Sequence, residues 1–241
     1  MGKKLILGSS ILCVTILTVA CNNTESVYEI YDQGDESLPQ SIDEIIDNSE
    51  IIVKGEFGNL LKSENMIRNS ADPTIESDLY YSEGHIYDFN IGETYKGLDV
   101  DSIKVAVTYG DGIPVMEDTG EIIDEVFVER IDYEEIDLTK EYILFLRDSS
   151  DIEENLFTPA AEAFIIEVDD DTSLKFHTKR MEGQLSDDID VDTNDEESYG
   201  ELTTQFRSEV SVDVIQEFSL FPDLLNNSDI DNLTDLEEYL N

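Results

Sequence analysis

Tryptophan is absent from the 241 residues, histidine and cysteine each occur twice, and lysine and arginine together number 14 against 58 acidic residues. Each scarcity excludes something. Without tryptophan, a platform that stacks on sugars has to come from the 11 tyrosines or 10 phenylalanines. Two isolated histidines, His85 and His177, do not provide the three or four nitrogen or sulfur ligands of a zinc site. A serine triad would need one of them beside Asp and Ser by tertiary accident. His85 precedes a strand and His177 lies on the Lys175/Lys179 side of its strand, so both read as surface or satisfied side chains. No Gly-x-Ser-x-Gly elbow, phosphate-cradling glycine loop or dinucleotide fingerprint occurs. The net charge of −44 repels nucleic acid and anionic head groups.

What is present begins with a leader. Lys3 and Lys4 form a basic start, and Leu5 to Val19 is a mostly apolar run too short to span a bilayer comfortably. The junction Leu17-Thr18-Val19-Ala20-Cys21 resembles the bacterial lipobox, where a peptidase cuts before a lipid-modified cysteine. Ala20 and Cys21 fit; Thr18 departs, because leucine is usual at that place and here stands at Leu17. The expectation is a signal peptide over 1–20 and lipidation at Cys21, holding the protein on the extracytoplasmic face of the cell membrane. The plainer alternative is an ordinary signal peptide or an uncleaved anchor. Removing 20 of 241 residues leaves 221, a length for one domain with appendages or at most two. Cys13 leaves with the leader and Cys21 carries lipid, so no disulfide can staple the mature body. Losing two lysines takes the net charge to −46. At molar salt the screening length is about 3 Å, so such a surface suits a salt-loving or salt-tolerant host.

Residues 21–40 are polar and acidic and read as a flexible tether. Ser41 and Glu44 form a capping box that opens a helix with Ile42, Ile45 and Ile46 on one side. Strand alternation follows at Ile51–Phe57, Tyr87–Ile91 and Ile103–Tyr109. Residues 62–83 read as a long loop, and Gly110-Asp111-Gly112 as the turn that ends the third strand. Val126–Val128 fits a short strand or a loop. Tyr142–Leu146 is an unbroken apolar run of strand length, buried on both faces. Phe164–Val168 and Leu174–Phe176 flank an acidic turn as a hairpin. A β-domain over 41–182, an acidic mobile loop over 183–201 and a helical segment over 202–241 complete the division. That last segment rests on Val210, Val214 and Phe218 at every fourth residue and on a Thr234/Glu237 capping box.

Three signals in this order carry a resemblance. They are Ile51-Ile52-Val53-Lys54-Gly55-Glu56 after a helix; Tyr95-Lys96-Gly97 followed by Ile103-Lys104-Val105; and Lys140-Glu141-Tyr142-Ile143-Leu144-Phe145-Leu146. Over about 41–179 the chain resembles uncharacterised surface lipoproteins of Gram-positive bacteria with a netrin-like domain, similar to that of the tissue inhibitors of metalloproteinases. The resemblance implies a mainly β fold: an OB-like barrel of five to seven strands with short flanking helices at both ends, serving binding and not catalysis. The animal modules are stapled by disulfides and inhibit through a free amino-terminal cysteine. Neither feature carries over, because Cys21 is expected to be acylated.

One cation site is legible. Asp190, Asp192, Asn194 and Glu201 fall at positions 1, 3, 5 and 12 of an EF-hand-like loop and would suit calcium. Asp195 stands where the sharp turn needs glycine, and Glu197 where an apolar residue packs, so a solvated acidic loop is the competing reading. The expectation is a non-catalytic binding or structural module of the cell envelope, with no catalytic residue, an unknown envelope protein or ligand as partner, and no nucleic acid. The alternative is an envelope hydrolase with a carboxylate-based, calcium-assisted site.

Overall fold

The computed structural model describes residues 27–33, 38–78, 80–98, 100–116, 122–130, 133–162, 164–169, 171–178, 190–192, 199–205, 211–219, 224–225 and 228–241. The lipobox residues Leu17, Thr18, Val19, Ala20 and Cys21 lie outside them. The protein is mainly β. In chain order the elements are β1 (Val27–Gln33), α1 (Ile42–Asn48), β2 (Ile51–Asn65), β3 (Arg68–Asn69), β4 (Asp72–Glu76) and β5 (Tyr81–Lys96). Then come β6 (Ser102–Met116), β7 (Ile122–Glu129), β8 (Glu141–Asp148), β9 (Leu156–Pro159), β10 (Ile165–Val168) and β11 (Leu174–Phe176). The chain finishes with β12 (Asp190–Asp192), β13 (Tyr199–Gln205), β14 (Ser211–Ser219) and α2 (Leu233–Leu240).

The main sheet has eight strands, and five of them form a closed circuit. β2 pairs antiparallel with β5, β5 with β6, β9 with β8, and β8 with β2; the circuit closes where β6 and β9 pair in parallel. Closure leaves no free edge within the ring. β10 and β11 continue the sheet from β8, and β7 continues it from the far half of β6. β2, β5 and β6 are 15 or 16 residues long, well beyond the usual strand. Only part of each fits the ring. In β2 the residues to Phe57 are mostly buried, and those from Leu60 to Ser63 are exposed. A second sheet orders β1-β14-β13-β12, with β1 parallel to β14, and β3 with β4 forms a two-stranded ribbon.

Apolar burial organises the ring. Tyr142 to Leu146 are all fully buried, as an unbroken apolar strand requires. Phe57 sits at the centre of three edge-to-face ring pairs, with Tyr87, Phe89 and Tyr142 at 5.5, 5.0 and 5.2 Å. α1 adds Ile42 and Ile45 to the same core, capped by Ser41, whose hydroxyl accepts from the Glu44 amide at 3.2 Å. No cation lies in the last turn of α1. Two of the scarce cations supply it from elsewhere: Lys96 Nζ donates to the Ile46 carbonyl at 2.9 Å and Arg147 Nε to that of Asn48 at 3.2 Å.

Several expectations are corrected. The tether stretch contains β1, paired with β14. The long loop over 62–83 holds the end of β2, the β3–β4 ribbon and the start of β5. Val214 and Phe218 do not mark a helix, because 211–219 is β14, while Val210 lies outside the described residues. A spacing of four is also two strand periods, and the β-branched run Val212, Val214, Ile215 favours the strand. The 183–201 loop contains β12 and the first part of β13. α2 begins two residues earlier than its predicted box: Asn232 caps it, accepting from the amides of Thr234 and Asp235 at 2.9 and 3.2 Å. This start turns Leu236 fully into the core. The 126–128 ambiguity resolves as β7.

Candidate functional site

A cavity of about 300 Å³ opens beside the ring, between the middle of β6, the segment after β7, the turn from β9 into β10, and the residues just after β11. That volume is at the small end of ligand pockets. Its apolar lining includes Val107, Phe164 and Ile165. Its polar lining is Arg130, Tyr133, Glu134, Glu162, His177 and Thr178, with Thr108. Arg130 Nη2 meets Glu162 Oε2 at 2.9 Å, and Lys175 Nζ meets Glu134 Oε1 at 3.3 Å. The walls therefore carry donors and acceptors of both signs in paired form.

Both histidines belong to this neighbourhood, and each has a partner, as the satisfied alternative of the expectation has it. The His177 side chain is 4% exposed. Its Nε2 lies 3.0 Å from the Glu134 carbonyl oxygen. A carbonyl only accepts, so Nε2 carries the proton. Nδ1 then lies 3.5 Å from Glu167 Oε2 and has no hydrogen-bond partner among the described residues. Lys140 in turn pairs with Glu167 and Asp169. His177 lies just past the end of β11, and its ring meets that of Tyr142 edge-on, centroids 5.5 Å apart. His85 lies inside β5, with Nε2 3.1 Å from Glu83 Oε1 and Nδ1 3.3 Å from the Tyr133 hydroxyl. Neither histidine addresses a serine or threonine hydroxyl among the described residues.

A row of rings runs from the cavity over β6 and its neighbours. Tyr133 lies 4.8 Å from Tyr109 and 5.8 Å from His85, which is stacked on Tyr109 at 4.3 Å and 17°. Phe127 follows at 5.8 Å from Tyr109, and Tyr81 at 6.1 Å from Phe127. All five rings are half-buried. Gly110 and Gly112 make the row possible, and here the predicted turn is corrected: both glycines lie within β6. A Cβ at Gly110 would stand 2.5 Å from Phe127 Cζ, and one at Gly112 3.0 Å from Tyr81 Cβ. The bare strand leaves room for rings from both neighbours.

Carboxylates edge the row. Tyr109 donates to Glu129, and that bond to the anion pushes its hydroxyl pKa up to about 12. Tyr81 donates to Glu83 at 3.0 Å, and burial together with this bond raises its pKa. Burial, then a hydrogen bond with Tyr87, raises that of Tyr133. Sequence reasoning missed Arg130, Tyr133 and Glu162. The one available signal was that Arg130 is among very few cations.

Lys96-Gly97 ends β5 as expected, with Gly97 at a φ of 96° that favours glycine. Of the calcium candidates, Asp190 and Asp192 lie on β12 and Glu201 on β13, while Asn194 is outside the described residues. Asp190 and Glu201 are cross-strand neighbours. The flanks are thus strands and not the helices of an EF hand. Among the described residues, no group of three or more metal-ligating side chains converges and no helix is long and apolar enough to cross a membrane. No family model, curated protein or solved structure matches this chain.

Proposed function

We propose that this chain is a lipid-anchored module on the outer face of the cell membrane that binds a ligand at the cavity beside its β ring, without catalysis. The observation that carries the reading is the cavity: Arg130 is paired with Glu162 and Glu134 with Lys175, and neither His177, bonded to the Glu134 carbonyl, nor His85, between Glu83 and Tyr133, addresses a serine or threonine hydroxyl among the described residues. A general base or nucleophile needs a free, addressed partner. A binding site needs an apolar lining with a few placed polar groups, and this cavity has both kinds of residue.

The OB-like, netrin-like identity of the barrel is part of the proposal. It is supported by the five-strand circuit closed through a parallel pair, and by the cap helix α1 leading into β2. The anchor is supported by the Leu17–Cys21 junction. The test is metabolic labelling with a fatty-acid analogue of wild type and Cys21→Ser. Label on the wild type alone is expected; equal labelling of both rejects the lipobox.

A further inference from the structure

We infer that the ring row Tyr81–Phe127–Tyr109–His85–Tyr133 is a stacking platform for a neutral glycan chain whose end enters the cavity. This deepens, and rests on, the proposed binding role of that cavity. The row is continuous, each ring lying within 6.1 Å of the next, and it ends on Tyr133, which lines the cavity. Half-buried rings offer apolar area held in place at little further entropic cost, and the planes of Phe127, Tyr109 and His85 lie 32° and 17° apart in succession. A chain without tryptophan has assembled such a surface from its tyrosines, a phenylalanine and a histidine. Gly110 and Gly112 keep the strand beneath it bare.

The polar rim fits hydroxyls. Glu83 and Glu129 accept from tyrosine hydroxyls, and Glu125 Oε1 lies beside Gly112, 3.1 Å from where a Cβ would stand. No lysine or arginine stands within ion-pair distance of Glu83, Glu125 or Glu129 among the described residues. These carboxylates are acceptors for the hydroxyl donors of a sugar. The cavity walls offer both donors and acceptors, as a polyhydroxylated end group requires. Charge selects the glycan: a protein of net charge −44 repels polyanionic polymers. Charge attraction to a basic partner is screened within about 3 Å in molar salt, the condition this surface suits, whereas ring stacking is not weakened by salt.

The experiment titrates the full-length lipoprotein in detergent micelles with two neutral β-linked tetrasaccharides, one of glucose and one of N-acetylglucosamine, by calorimetry. A sulfated glycan and oligolysine are the comparison ligands. Saturable binding of at least one neutral tetrasaccharide is expected, weakened at least tenfold in Tyr109→Ala and in Phe127→Ala. Tyr109→Phe keeps the ring and binds within a few-fold of wild type. Tyr239→Ala, an exposed tyrosine off the row, binds as wild type does. Circular dichroism and melting confirm that each variant is folded; if either alanine variant is not, Tyr109→Phe and the sugar titration of wild type still decide. Failure of both neutral tetrasaccharides to bind, or unchanged affinity in the folded alanine variants, overturns the inference. Oligolysine binding without sugar binding overturns it in favour of a basic protein partner. Lost fatty-acid labelling with retained sugar binding removes the anchor and leaves the site; the reverse removes the site alone.

Discussion

Phe57 shows how much of the stability rests on single side chains when no disulfide helps. It is 2% exposed and touches three rings edge to face. Phe57→Ala should cost about 3–5 kcal/mol, the transfer loss plus the cavity left among Tyr87, Phe89 and Tyr142. A urea midpoint that falls with an unchanged slope would register it. Gly110 poses the opposite problem, too little space. Its added Cβ would stand 2.6 Å from the Val128 carbonyl oxygen, and backbone cannot yield as a side-chain end can. Gly110→Ala should cost about 1–3 kcal/mol. Gly92→Ala is the control, its Cβ meeting the Lys54 carbonyl at an ordinary 3.6 Å. A Gly110→Ala midpoint no lower than that of Gly92→Ala would contradict the packing of the ring row. At this scale the sequence was informative about which residues are apolar, and misleading about glycine: Tyr109-Gly110-Asp111-Gly112 looks like a turn until rings from β5 and β7 are seen to cover it.

At the scale of elements, the docking of α2 turns on one carboxylate. Lys54 Nζ meets Glu237 Oε1 at 2.6 Å and Glu93 Oε2 at 3.1 Å, and the Tyr95 hydroxyl donates to Glu237 at 3.1 Å. Burial opposes the charge on Lys54, but the hydrogen bonds to Glu237 and Glu93 outweigh it and hold its pKa above 10.5. The bond from Lys54 depresses the pKa of Glu237 below 4.5. A depressed carboxyl stabilises the fold above its unfolded value and loses that contribution as pH falls through the folded one. A raised ammonium stabilises below 10.5 and loses its share as pH rises through the raised value. The latch is therefore complete between about pH 4.5 and 10.5. Glu237→Gln should lower stability by about 1 kcal/mol at neutral pH, a small figure because the carboxylate still touches water. It should also speed amide exchange in α2 at pH 7 and leave less further loss on acidification below pH 4.5. Identical exchange in wild type and variant would reject the latch. Helix existence here was readable from local capping, since Ser41 and the leucines of α2 sit at helical spacing. The cap at Asn232 was not, because both Asn232 and Thr234 are competent and only burial of Leu236 decides between them.

For the whole molecule, charge is the dominant number. Scarce cations bridge carboxylates, as Lys62 and Lys104 do in sharing Glu153 at 2.5 and 2.6 Å, and salt weakens such pairs. Yet 14 cations cannot neutralise 58 carboxylates, so repulsion outweighs the paired attractions. The melting temperature should rise from low salt to molar potassium chloride; an unchanged or lower midpoint would refute the salt-adapted reading of this surface.

The sequence by itself determined what local periodicity and composition can carry: a mainly β body, the buried central strand Tyr142–Leu146, the α1 cap and the excess of negative charge. Those properties depend on neighbours along the chain or on simple sums. Tertiary structure alone decided the circuit closed by the parallel pairing of β6 and β9, strands separated by some 50 residues. It also decided the gathering of His85, Tyr109, Phe127 and Tyr133 from three strands and a loop, and the burial of His177. No local period records which distant strands become neighbours, because register and closure follow from where whole faces find apolar partners.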